Sequence, residues 1–307
     1  MNFYIEQVRN IDKQALISSF TSGNEFSDGL TCGVYNILGH DDFVLRVSKR
    51  MERKGEDAFV KSLEQSELQI QPDLVEGRNF GQTIGYYGYD VDICRKVRGY
   101  NIKLKTTMSL KTEEDVKRAQ QENWKKVLNL YTAPDSTYEQ YISDMNFLYL
   151  NYLKIDTGTS KNFIFMQENN PPRICPIDME STQDATSYNT AIDAAYGLVG
   201  NTLFIELQFK YLKTGLGNRF KKLGIRHSAF FDNPNGWHML VGICDRTMIA
   251  AEKVGHSGNI DKTKPTFEYR ILKESGANSV DTTKIKDNGH RRTREFMEYA
   301  KAPRTRD

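Results

Sequence analysis

The sequence predicts a mixed α+β chain in two parts, a small strand-rich region over residues 1–109 and a larger, mainly helical one over residues 110–307. Three observations carry that reading. Residues 26–108 hold five apolar runs of strand length, with one helical pattern inserted after the third. Two long helical patterns then follow each other, separated by Pro134-Asp135-Ser136. With 38% of its 307 residues hydrophobic, the chain has material for a sizeable core, in one large domain or two lobes.

Taken in order, Ile11–Phe20 has a short helical pattern with Leu16, Ile17 and Phe20 on one face. Phe26 to Leu38 reads as strand, flexible turn, strand, with Gly29 in the turn. Gly39-His40-Asp41-Asp42 is turn material, and Phe43–Val47 is the third strand. The two-residue period puts Val44 and Arg46 on one face of it. Glu56–Ile70 carries Ala58, Phe59, Leu63 and Leu68 at helical spacing, and Gln82–Val91 and Tyr100–Met108 read as two further strands.

The polar stretch near Ser109 is the expected boundary. Thr112 then opens a helix as its N-cap, with Glu113, Glu114 and Asp115 in the first turn, and the helix runs to about Tyr131. In Tyr138–Leu153 the residues Tyr141, Ile142, Met145, Leu148 and Tyr149 form a stripe that belongs to the core. A loop bearing Asp156 and Asn162 follows, then an apolar strand (Phe163–Met166), a polar turn (Glu168–Pro172) and a second apolar run (Ile174–Ile177) that ends on Asp178. Beyond Glu180 the chain is polar to about Asn189. Thr190–Leu212 is helical with interruptions at Gly197 and Gly200, and His238–Cys244 and Phe267–Leu272 read as strands or buried runs. The tail from His290 carries Arg291, Arg292, Arg294, Lys301, Arg304 and Arg306, a pattern usual for a solvated helix end.

Asp156, Asn162 and Asp178 thus flank one short hairpin. Phosphoryl transfer uses such a set: a carboxylate beside the attacking hydroxyl, and an Asn and an Asp holding Mg²⁺ on ATP phosphates. The run Asp156…Asn162, apolar strand, turn, Ile177-Asp178 resembles the catalytic loop and metal-binding Asp of the protein-kinase-like phosphotransferase superfamily. That superfamily includes the protein kinases and the aminoglycoside and choline kinases. The resemblance covers residues 26–181 and rests on the order of its parts. It implies a two-lobed fold with a small antiparallel β lobe (1–109) that binds nucleotide. A larger, mainly helical catalytic lobe (110–307) follows, divergent from about residue 225.

On that resemblance Asp156 matches the catalytic Asp, and Asn162 and Asp178 the metal ligands. Gly29 takes the second glycine of the Gly-rich loop, and Val34-Tyr35 the pair after it. Val44 lies under the adenine. Arg46 replaces the usual Lys at the α- and β-phosphates, keeping the charge and adding a bidentate fork. Glu64 is the helix acid expected to pair with Arg46. The implied cofactors are ATP and Mg²⁺. Asp156 and Asn162 are six apart where the family pattern has five, and Lys154 and Ile155 stand where His and Arg usually precede the Asp.

These features imply a divergent protein Ser/Thr kinase acting on a partner protein, of the kind found among bacterial effectors or viral kinases. Arg46 and Asp178-Met179-Glu180 also suit a small-molecule kinase of the aminoglycoside or choline type, and a catalytically inactive kinase-shaped binding protein is the third reading. A formal net charge of +2 predicts no general attraction to nucleic acid or to a membrane surface. No apolar run nears the roughly 20 residues of a bilayer span, and the first residues lack the blocks of a signal peptide. Four scattered cysteines without a C-x-x-C pair, and five histidines without metal-ligand spacing, point away from zinc. A reducing, cytoplasmic setting is expected, a host cytoplasm in the case of an effector.

Overall fold

The computed structural model describes residues 3–23, 25–28, 32–71, 80–107, 110–151, 153–155, 160–181, 190–200, 202, 222–224 and 234–255. The chain is mixed α+β and divides into two compact units. The first comprises residues 1–98 together with 175–181, and the second residues 99–174 and 182–307. The first division falls at Arg98, somewhat before the expected Ser109.

The first unit is built on an antiparallel six-stranded sheet. Its strands are β1 (Glu25–Asp28), β2 (Cys32–Asn36), β3 (Phe43–Ser48), β4 (Gln69–Ile70), β5 (Thr83–Tyr87) and β6 (Val91–Arg95). They lie in the order β1-β2-β3-β6-β5-β4. The run expected as one strand over Gln82–Val91 is in fact a hairpin, because Gly88 takes a positive φ of 61° and turns the chain. Four helices accompany the sheet: α1 (Phe3–Arg9), α2 (Lys13–Thr21), α3 (Lys49–Lys54) and α4 (Glu56–Gln65).

Strand β3 passes straight into α3 because Ser48 changes role there. Its Oγ accepts the Met51 N–H at 3.1 Å as N-cap, and it also donates to Asp90 Oδ1 at 2.5 Å. One face of the sheet carries the core. Tyr35, Phe43, Leu45, Val47 and Ile93 meet Leu16, Phe59 and Leu63 from the helices. Phe20 stacks on Phe59 with ring centroids 4.3 Å apart. Each large apolar side chain fully buried here contributes about 1.5–3 kcal/mol.

Among its described residues the second unit is mainly helical. Helix α5 (Glu113–Thr132) opens with a complete capping box: Thr112 Oγ1 accepts the Asp115 N–H and Asp115 Oδ2 the Thr112 N–H, both at 3.1 Å. Thr112 is therefore the N-cap that the sequence predicts. Helix α6 (Asp135–Leu150) starts three residues earlier than expected, behind Pro134, and its Tyr141, Ile142, Met145, Leu148 and Tyr149 are buried as anticipated. A strand β7 (Tyr100–Asn101) pairs with β9 (Phe163–Met166). The expected fifth strand of the N-terminal sheet over Tyr100–Met108 is thus reduced to two residues and joins a different sheet, whose order is β10-β9-β7 with β10 at Arg173–Pro176.

Two short strands, β8 (Leu153–Ile155) and β11 (Met179–Ser181), flank this hairpin in the chain. Helix α7 (Thr190–Ala195) runs into a π-helical turn at Tyr196–Gly200, and α8 covers Pro234–Val254. His238–Cys244, expected as a strand or buried run, lies inside α8, where Leu240, Ile243 and Cys244 are buried. An apolar run of seven residues does not distinguish a buried strand from one side of a long helix. The expected elements at residues 203–212 and Phe267–Leu272, and the basic tail, lie outside the described residues. Among those described, no helix is long and apolar enough to cross a membrane.

Candidate functional site

The face of the N-terminal sheet opposite the core carries the candidate chemistry. Along β2, β3 and β6 the residues that alternate with the core positions are Cys32, Val34 and Asn36, then Val44 and Arg46, then Asp92 and Cys94. The register sets them side by side: Val34 and Asp92 flank Arg46, and Asn36 and Cys94 flank Val44. Val44 and Arg46 thus share a face, as their spacing predicts, and that face is the one the hydrophobic cluster leaves.

Asp178 reaches the same face from far along the chain. Residues 175–181 belong to the first unit, and they are fastened to its edge at Gly81. The Gly81 N–H donates to Pro176 O at 3.3 Å, and Gly81 and Ile177 form a parallel bridge. A Cβ at position 81 would stand 2.5 Å from Ile177 Cγ2, so glycine is what lets the segment lie so close. The next residue, Asp178, takes a positive φ of 61°, a conformation that Asp tolerates better than most side chains. Its Oδ1 accepts a hydrogen bond from Arg46 Nη2 at 2.9 Å across 132 positions of sequence.

Arg46 also donates from Nε to Cys32 Sγ at 3.4 Å. Burial works against its charge, yet the Cys94 and Cys32 thiols and the Asp178 carboxylate hold the guanidinium more firmly protonated than an ordinary arginine. Burial pushes the Cys94 thiol up to about 11, with Arg46 pulling the other way. Burial also raises the Asp92 carboxyl above its usual range, opposed by Arg46 and assisted by the Asp178 charge.

Of the residues read from the sequence, the fold brings together Val34, Val44, Arg46 and Asp178 on the first unit. Glu64 does not join them. It is exposed on α4, and the carboxylate that Arg46 binds is Asp178. The reason is periodicity: Phe59 and Leu63 turn one side of α4 into the core, which puts Glu64 in solvent. Asn162 belongs to the second unit, where it ends a 3₁₀ turn (Ser160–Asn162) and is 3% exposed. The turn is held by the Asn101 side chain, which donates to Lys161 O, and by Ile102 N–H donating to Phe163 O at 3.0 Å. Asp156 and Gly29 lie outside the described residues.

Sequence reasoning missed Cys32, Asp92 and Cys94. The parity of β6 carries a signal for the last two, but reading it requires the β3–β6 register and the hairpin at Gly88. Among the described residues no group of three or more His, Cys, Asp or Glu is placed to hold a metal ion. Comparison of the chain with family models and with curated protein sequences finds no match to either.

Proposed function

We propose that the chain is an ATP- and Mg²⁺-dependent phosphotransferase, a divergent protein Ser/Thr kinase that acts on a partner protein in a cytoplasmic setting. The observation that carries this reading is the Arg46–Asp178 pair. A cation suited to phosphate and a carboxylate suited to Mg²⁺ meet at 2.9 Å on the sheet face that the core leaves. A small antiparallel sheet with helices inserted after its third strand, followed by a mainly helical unit, supports the two-lobed plan that the sequence resemblance implies.

The residues fit the cofactors chemically. Guanidinium matches phosphate oxygens through paired N–H donors. Mg²⁺ is held by one or two carboxylates plus substrate phosphates, so a single exposed carboxylate such as Asp178, 44% exposed, suits it. In this reading Arg46 holds the α- and β-phosphates and Val44 lies under the adenine. Asp178 would hold the metal, and Asn162 and Asp156 keep the roles that the sequence resemblance implies. Bound Mg²⁺ supplies neutralisation of the phosphate charge; the chain's own contribution is position and electrostatics.

A second reading, a small-molecule kinase, is favoured by the Arg in place of Lys and by Asp178-Met179-Glu180. Both are tested by incubating the wild type and Asp178→Ala with γ-labelled Mg·ATP, with and without a protein lysate. Label transferred by the wild type and lost in Asp178→Ala is the expected result, and the labelled species separates protein from small-molecule acceptors. Absence of transfer, together with no thermal shift on adding Mg·ATP, would sink the phosphotransferase reading and leave a binding protein.

A further inference from the structure

Beside the Arg46–Asp178 pair, the outer face of the N-terminal sheet carries a charged side chain that the proposed mechanism leaves unused, Asp92. It is half-buried, stands directly opposite Arg46 in the β3–β6 register, and its side chain makes no hydrogen bond to the described residues. Directly opposed residues of an antiparallel pair have Cβ atoms about 4.5–5.5 Å apart, within reach of a guanidinium that changes rotamer. A half-buried carboxylate beside a second carboxylate is costly without a cation to serve it. Arg46 is the cation that the register supplies, and the Asp92 carboxyl responds to both neighbours. The helix acid expected for this task, Glu64, is in solvent.

We propose that Asp92 is the positioning residue of Arg46, holding the guanidinium along the outer face when the Asp178 carboxylate is engaged by a divalent cation. The inference rests on the phosphotransferase reading for its purpose. Two carboxylates serve one guanidinium, so that Asp178 can change partner while Arg46 keeps one. Asp92 itself touches no reacting group.

The test separates this idea from the reading beneath it. NMR of the Arg46 Nε–H signal reports side-chain order without nucleotide. We expect the signal to stay ordered in Asp178→Ala, to become mobile in Asp178→Ala/Asp92→Asn, and to recover in Asp178→Ala/Asp92→Glu. Calorimetric titration with ATP should show Asp92→Asn binding about tenfold more weakly than wild type in Mg²⁺, with little loss in EDTA, where Asp178 still holds Arg46. Equal order of Arg46 whether or not Asp92 is replaced would overturn the proposal. An equal loss in EDTA and in Mg²⁺ would also overturn it, because Asp178 is free to hold Arg46 in EDTA, and a loss in Mg²⁺ without any change in Arg46 order would make Asp92 a metal ligand instead. A wild type that binds no ATP would sink the phosphotransferase reading and this role with it, whereas tight ATP binding unchanged by Asp92→Asn would sink the positioning role alone.

Discussion

The Arg46–Asp178 pair of the first unit and the Arg173–Asp144 pair of the second join residues 132 and 29 positions apart, and they differ in what surrounds them. Arg173 donates to Asp144 Oδ2 from Nη2 at 2.7 Å and from Nε at 3.3 Å. Asp144 is wholly buried on α6 and also accepts from Gln140 Nε2 at 3.0 Å. The Arg46–Asp178 pair makes one hydrogen bond at 2.9 Å, its members are 24% and 44% exposed, and its Asp sits in a left-handed backbone conformation. A doubly bonded pair whose carboxylate is wholly buried locks a hairpin to a helix. A half-exposed, single-bonded one leaves both partners able to bind something else. The contrast teaches that burial decides whether such a pair is committed to packing or left open to a ligand.

The sharpest way to break that contrast is to remove each pair and read activity and stability separately. On the phosphotransferase reading Asp178→Ala should reduce phosphoryl transfer by at least about a hundredfold, since it removes a carboxylate that would hold the divalent cation on the reacting phosphates. The same substitution should alter urea-unfolding stability by less than about 1 kcal/mol, because half-exposed ion pairs are worth little. Arg173→Ala should do the reverse. It takes the guanidinium away from a wholly buried Asp144 carboxylate, and should cost about 3 kcal/mol of stability. An Asp178→Ala protein that unfolds as readily as Arg173→Ala would erase the distinction.

A smaller effect separates the two faces of the N-terminal sheet. Gly33 lies on the core side of β2, and a Cβ there would stand 1.8 Å from Glu52 Oε1. That carboxylate accepts the Tyr35 hydroxyl at 2.7 Å, and its other oxygen pairs with Lys49 at 2.5 Å. Gly33→Ala must therefore push Glu52 aside, with an expected loss of about 1–2 kcal/mol by thermal or urea unfolding. Double substitution with Glu52→Ala should recover most of it, because the obstruction is the end of a flexible side chain.

How much of this was legible in the sequence follows from which interactions are local. The α5 cap, the α6 stripe and the shared face of Val44 and Arg46 depend on spacing within one element, and all three are present. The pairing of Arg46 was misassigned to Glu64, because a helix acid at the right distance in sequence says nothing about which side of the helix the core takes. Asp178 is its partner only because a seven-residue segment returns to the first unit at Gly81, a long-range contact without local signature. His238–Cys244 illustrates the other limit: a short apolar run carries no period of its own, and the helix around it becomes visible only when the flanks are read together.

The gentlest probe of the outer face uses its cysteines. Cys32 is half-exposed and accepts from Arg46, whereas Cys94, Cys175 and Cys244 are buried. With its thiol raised to about 11, Cys94 is overwhelmingly protonated at pH 8 and unreactive as a nucleophile. Iodoacetamide at pH 8 should therefore label Cys32 first, and the other three only after unfolding. Peptide mass mapping reads both. If Arg46 holds nucleotide phosphates, Mg·ATP should slow the labelling of Cys32 several-fold without any turnover being required, while leaving the exposed lysines equally reactive toward an acylating reagent. Undiminished labelling in saturating Mg·ATP would put the nucleotide elsewhere on the molecule and reduce the Arg46–Asp178 pair to the status of its buried counterpart.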